Sequence, residues 1–68
     1  MKRKKLKMLR QEHELTQQQM ADITGRSRNA YIKIERGERN PTPDFWERLQ
    51  KAFNIPDEEM YSYQKGGN

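Results

Sequence analysis

Gly25, two residues ahead of Ser27, divides the stretch Gln17 to Arg36 into two short segments of helical period. A glycine that follows a periodic segment favours a left-handed helix cap, and a serine just beyond offers an N-cap to the next helix. The first segment, about Gln17 to Thr24, is expected to bury Met20, Ala21 and Ile23. The second, about Arg28 to Arg36, is expected to bury Ala30, Tyr31 and Ile34, because residues i, i+3 and i+4 share a helical face. So tight a turn crosses its two helices steeply. The outer face of the second helix then carries Arg28, Asn29, Ile32, Lys33 and Arg36. Three cations and an amide in that position suggest a helix that reads a nucleic-acid groove.

Three further helices surround this pair. Leu6, Leu9 and His13 predict a first helix from about Arg3 to Glu12, with His13 at the edge of the core. Its start is a block of cations, Lys2, Arg3, Lys4, Lys5, Lys7 and Arg10, with no acid among them. Such a block suits either a nucleic-acid arm or a solvated face that keeps the chain soluble. Thr16 with Gln19 spells a capping box at the start of the second helix. Gln17 and Gln18 fall in its first turn, where free N–H groups and the positive dipole end also suit a phosphate. Gly37 closes the third helix, and Glu38 to Pro43 reads as a loop stiffened by Pro41. Thr42 and Pro43 form an N-cap and first-turn proline. The fourth helix, to about Phe53, should bury Trp46, Leu49 and Phe53, flanked by Phe45 and Ala52, as ordinary core. A short fifth helix, about Asp57 to Tyr61, has acids at its start and Met60, Tyr61 and Tyr63 as an apolar end. Residues 1–63 therefore form one expected domain, and 64–68 have the composition of a frayed tail.

Size and charge restrict the function. A chain of 68 residues holds one domain, with no room for a second, effector-binding one. Its apolar content is low for a globular domain, and helical spacing and well-placed caps are what favour order over disorder. Without cysteine there is neither a disulfide framework nor a thiolate metal site. No apolar run reaches the length of a signal-peptide core or membrane span, so a soluble cytoplasmic protein is expected. The net charge of +4 is unevenly spread: residues 1–40 hold eleven Lys and Arg against five acids, and the remainder three against five. The positive half is the half with the paired helices, as expected for a polyanion partner. A lone histidine and scattered acids on helix ends make no catalytic pair. No cofactor is implied.

Leu15-Thr16-Gln17, Met20-Ala21, Gly25, Ser27, Ile34-Glu35, Gly37, Arg39 and Pro41 together resemble the phage repressor and Cro type of helix-turn-helix protein, the xenobiotic-response-element family. The resemblance runs from about Leu6 to Met60. It implies an all-α, five-helix fold that binds operator DNA as a two-fold dimer. By position it implies Ser27, Arg28, Asn29 and Lys33 at base edges in the major groove. It places Gln17 at one phosphate and Arg39 with Asn40 at another, and it pairs Arg10 with Glu35 across the first and third helices. Arg28 suits guanine O6 and N7, Asn29 suits adenine N6 and N7, and Lys33 suits either guanine or a phosphate. Arg26 and Arg36 are further expected phosphate contacts.

Three positions depart from the family pattern. Thr24 and Arg26 stand where an aliphatic residue is usual, which should thin the packing between the second and third helices. Ile32 stands where a small polar residue is usual, and suits either a thymine methyl or a tolerated surface position. The function implied is a DNA-binding regulator, in the first instance a repressor acting by occupying its operator. The alternative is a protein-binding module of the same fold, such as an antitoxin or adaptor, with Met60, Tyr61 and Tyr63 holding a regulatory protein. The same three residues are the expected dimer interface.

Overall fold

Helical period and caps resolve into five helices: α1 (Lys4–Glu12), α2 (Gln17–Thr24), α3 (Arg28–Glu35), α4 (Pro43–Phe53) and α5 (Asp57–Lys65). The computed structural model describes residues 2–65. Among them there is no strand, and no helix is long and apolar enough to cross a membrane. α2 lies against both α3 and α4, while α1 bridges α3 and α5. Helix α5 is longer than its expected span. Of the tail expected at 64–68, Gln64 and Lys65 belong to α5 instead, and residues 66–68 lie outside the described residues.

The core draws on every helix: Leu6 and Leu9, Met20 and Ala21, Tyr31 and Ile34, Phe45 and Leu49, then Ile55, Met60 and Tyr63. Several expectations shift by one position. Because α2 packs on two neighbours, Thr24 is fully buried and Ile23 only half-buried. The Thr24 hydroxyl donates to the carbonyl of Met20 at 2.9 Å, so its burial leaves no unmet donor. In α4 the deepest aromatic is Phe45, with Trp46 and Phe53 half-buried and Ala52 exposed. Phe45 stacks on Tyr31 with centroids 6.4 Å apart and meets Trp46 edge-on at 4.8 Å. Ala30 is half-buried, and His13 lies exposed, edge-on to Phe53.

Arg3 departs furthest from expectation. Within a block of solvated cations it is only 6% exposed. Its backbone N–H donates to the carbonyl of Glu35 at 2.8 Å, and its Nη1 donates to Ile34 at 2.7 Å and Arg39 at 3.1 Å. Nη2 donates to Asn40 Oδ1 at 2.8 Å, and the guanidinium lies 5.7 Å from the Trp46 ring. These bonds satisfy carbonyls that the end of α3 would otherwise leave open. Arg3 thereby bolts the start of α1 to the loop after α3.

Helices α1 to α4 all stop through a residue in the left-handed region: Glu14, Gly25, Gly37 and Asn54. At Gly25 the Arg26 N–H donates to Ala21 and the Gly25 N–H to Asp22, the paired bonds of a Schellman cap. Leu15 to Arg10 and Glu14 to Gln11 repeat that pattern after α1, but a side chain at φ 53° is strained there. The left-handed strain of about 1–2 kcal/mol outweighs glycine's larger unfolded-state entropy, roughly 0.5–1 kcal/mol. Glu14→Gly should therefore raise stability by about 0.5–1 kcal/mol, a gain of a few degrees in Tm. Gly25→Ala should lower it by a similar amount, since its new Cβ also meets Arg48 Nη1 at 3.0 Å. Thermal melts of both variants check this, and a fall for Glu14→Gly would contradict it.

Candidate nucleic-acid interface

The position of α3 depends on a buried carboxylate. Glu35, 7% exposed, receives Arg10 Nε at 2.9 Å and Nη2 at 3.2 Å, a bidentate pair between α1 and α3. The Tyr31 hydroxyl, one turn earlier, donates to the same carboxylate at 2.7 Å. Arg10 Nη1 continues to the carbonyl of Leu15 at 3.0 Å, tying in the turn before α2. Burial alone would push the Glu35 carboxyl up. Arg10, then Tyr31, with a smaller share from the Gln17 amide, outweigh it and hold the group below the ordinary carboxylate range. Burial first, and the hydrogen bond to Glu35 next, push the Tyr31 phenol far above its usual value, so it remains a donor.

The caps set the direction of α3. Ser27 accepts from the Ala30 N–H at 3.2 Å, and Thr16 and Gln19 form their reciprocal box at 3.1 and 2.8 Å. With Tyr31, Ile34 and Glu35 turned inward, the other side of α3 presents Arg28, Asn29, Lys33 and Arg36 to solvent. Among the described residues none of these four side chains has a hydrogen bond or ion pair. Every donor of an exposed arginine, asparagine and lysine is thus open to an external acceptor. The Ser27 hydroxyl, exposed at the head of the same helix, accepts from the backbone and keeps its own proton free. Ile32 is half-buried beside them.

The expected phosphate contacts separate into two groups. Arg36 and Arg39 have exposed side chains on or beyond the end of α3. Asn40 is exposed nearby, and because Arg3 can only donate, the Asn40 oxygen faces inward and its amide N–H₂ outward. Gln17 is half-buried with its amide toward Glu35, while the first-turn N–H groups of Gln17 and Gln18 are not used by the capping box. Arg26 is turned away from this set. Its guanidinium pairs with Asp44 at 3.1 and 3.3 Å, donates to Thr42 Oγ1 at 2.9 Å and lies over the Phe45 ring at 5.6 Å. It joins the turn after α2 to the start of α4, filling the joint where aliphatic packing is thin. The Thr42 hydroxyl does not cap α4, because it is committed to Asp44 and Arg26.

Met60 and Tyr63, expected at an exposed interface, are core residues only 7% exposed, and of the three Tyr61 alone is exposed. Arg3 and the Tyr31–Glu35 hydrogen bond are the structural members that sequence reading missed. The second had a signal, the i,i+4 spacing of a phenol and a carboxylate; Arg3 had none, being one cation among six.

The helix-turn-helix family model matches residues 6–60. The chain belongs to the helix-turn-helix family. Its reading is that of a DNA-binding transcriptional regulator, and its turn is the Gly25 cap with α3 as the second helix of the motif. It is 33% identical over 58 residues to the cryptic-phage CTXphi transcriptional repressor RstR of Vibrio cholerae. That match covers 85% of this chain and 52% of the relative, so the chain spans about half that protein's length. It is 35% identical over 60 residues to an uncharacterised helix-turn-helix transcriptional regulator of Methanocaldococcus jannaschii, covering 88% of this chain and 91% of the relative.

The Glu35 cluster yields two expectations. Arg10→Met alone leaves a buried carboxylate without its cation and should lower stability by about 3 kcal/mol or more. Adding Glu35→Leu should recover part of that loss, a non-additivity measurable by urea denaturation; additive losses would refute the coupling. The pH dependence follows from the lowered Glu35 and Asp44 carboxyls, Asp44 being held at about 2 chiefly by Arg26. A depressed folded-state value means the contribution is complete above the unfolded value and is lost as pH falls through the folded one. The urea midpoint should therefore hold from pH 7 to about 5 and drop below about 4, with a smaller drop in Glu35→Gln.

Proposed function

We propose that this protein is a sequence-specific repressor that binds a pseudo-palindromic operator in duplex DNA as a homodimer, with α3 in the major groove. The observation carrying this reading is the outer face of α3, where Arg28, Asn29 and Lys33 are exposed and have no partner among the described residues. Arg28 can grip guanine O6 and N7, and Asn29 adenine N6 and N7, each contact worth about 1–3 kcal/mol of discrimination. Ser27 reaches a base edge at the head of the helix, and Lys33 a guanine or a phosphate. Gln17, Arg36, Arg39 and Asn40 grip phosphates, which positions the reading helix without specifying sequence. The transcriptional repressor of Vibrio cholerae, similar over most of this chain, supports repression as the outcome.

Dimensions support the dimer. Half-sites one duplex turn apart place recognition helices about 34–36 Å from each other. One protomer measures 28 × 23 × 23 Å, too small to fill two such sites. A second copy supplies the second reading helix, and occupancy of the operator excludes polymerase sterically. A protein-binding module has less support, because Met60 and Tyr63, its expected docking residues, are in the core.

Selection of binding sites from random duplex tests the reading. The wild-type chain should enrich one two-fold motif. Arg28→Ala and Asn29→Ala should each relax preference at one position per half-site while keeping the fold. Unchanged base preference in both variants would show that another face reads the DNA.

A further inference from the structure

The cations of the first ten residues have different surroundings. Arg3 is buried as a bolt, and Arg10 is paired with Glu35. Lys5 is held against α5, its Nζ 2.6 Å from Ser62 Oγ and 4.7 Å from the Tyr63 ring centroid. Lys2, Lys4 and Lys7 remain, exposed and with no ion pair or hydrogen bond among the described residues. All three line one open groove of about 860 Å³, whose other wall includes Arg28 of α3 and Arg36 at its C-terminal cap.

The charge of this groove is not balanced internally. Its one acidic lining residue, Glu35, is already matched by Arg10. Arg3 also lines it, and among the described residues the hydrogen-bond partners of its side chain are neutral: two backbone carbonyls and the Asn40 amide. Burial without a carboxylate lowers the Arg3 pKa, so a buried cation stands behind five exposed ones. Such a concentration repels itself unless a polyanion lies over it. A helix in a major groove about 12 Å wide has a sugar–phosphate strand along each flank. Arg28 and Arg36 belong both to the outer face of α3 and to this groove, so the groove adjoins that flank. Lys4 and Lys7 sit one helical turn apart on α1, about 5 Å in rise, with side chains long enough to reach phosphates along one strand.

We propose that the groove between α1 and α3 is the track of one DNA strand, with Lys4 and Lys7 as phosphate contacts that add affinity without specificity. This rests on the reading of α3 as the helix in the major groove. It assigns part of the N-terminal basic block to DNA and part to the fold, where the sequence left a choice between an arm and a solvated face.

The salt dependence of binding to a labelled duplex carrying the selected motif tests it, using the full chain, Lys4→Gln with Lys7→Gln, and Lys51→Gln. Lys51 is an exposed cation on α4 outside the groove, so its variant controls for net charge. Losing two phosphate contacts should make the slope of log K against log salt shallower by about 1.8 per bound protomer. The base preference of the double variant should remain that of the wild type, and Lys51→Gln should keep the wild-type slope. A wild-type chain that binds with a slope unchanged in the double variant overturns the track and leaves the α3 reading intact. A changed base preference in the double variant also overturns it, because the lysines would then touch bases. A wild-type chain that binds no duplex overturns both.

Discussion

The carboxylate of Glu35 is the point on which the arrangement of the first three helices depends. It takes two bonds from Arg10 on α1 and one from Tyr31 a turn earlier on its own helix. Arg10 then reaches the Leu15 carbonyl just ahead of α2. A small core could tolerate many rotations of α3 about its own axis, since Tyr31 and Ile34 are the only large apolar groups it buries. A buried charge with three directed donors admits one rotation, because any other leaves the carboxylate without its partners. Burying an ion pair often adds little stability. We read its value here as register: it decides which side of α3 faces outward.

The six arginines of residues 1–40 divide by environment. Arg3, Arg10 and Arg26 are used within the fold, bonded to carbonyls, to Glu35 and to Asp44 respectively. Arg28, Arg36 and Arg39 are exposed and, among the described residues, uncommitted. The division has a physical basis in donor geometry. A planar guanidinium with five N–H groups can satisfy the end of one helix or grip one base edge, but not both at once. Structural arginines at the joints of α3 therefore allow the arginines on its surface to remain free. The joint after α2 shows this most clearly, because Arg26 over Phe45 and against Asp44 does what an aliphatic side chain does in a better-packed turn.

Much of this was legible in the chain itself, and what was legible was local. Thr16 with Gln19, the glycine at 25, Ser27 and Pro43 mark helix ends whose geometry depends only on near neighbours, and the bounds of α2 and α4 agree with them. The outward face of α3 followed from its period. Features that depend on distant neighbours were not legible. Nothing local distinguishes Arg3 from Lys2 or Lys4, because its acceptors lie more than thirty residues away. Phe45 lies deeper than Trp46 because α2 packs on α4 and the Tyr31 ring stacks on Phe45. Met60 is buried by contacts with distant elements, and the one extra turn of α5 carries Tyr63 back against α1. Glu14 gave no left-handed signal, since the residue type opposes the conformation it adopts.

We propose that Glu35 fixes α3 so that its outer face, rather than α4 or α5, reads the bases of DNA. Amide and side-chain chemical-shift mapping of the labelled protein, titrated with duplex carrying its selected motif, addresses this directly. The largest changes are expected at Ser27, Arg28, Asn29 and Lys33, with smaller ones at Lys4, Lys7, Gln17 and Asn40, and little change along α4 and α5 outside any contact between protomers. Changes concentrated on α4 or α5, with the Ser27 to Lys33 amides unmoved, would contradict it.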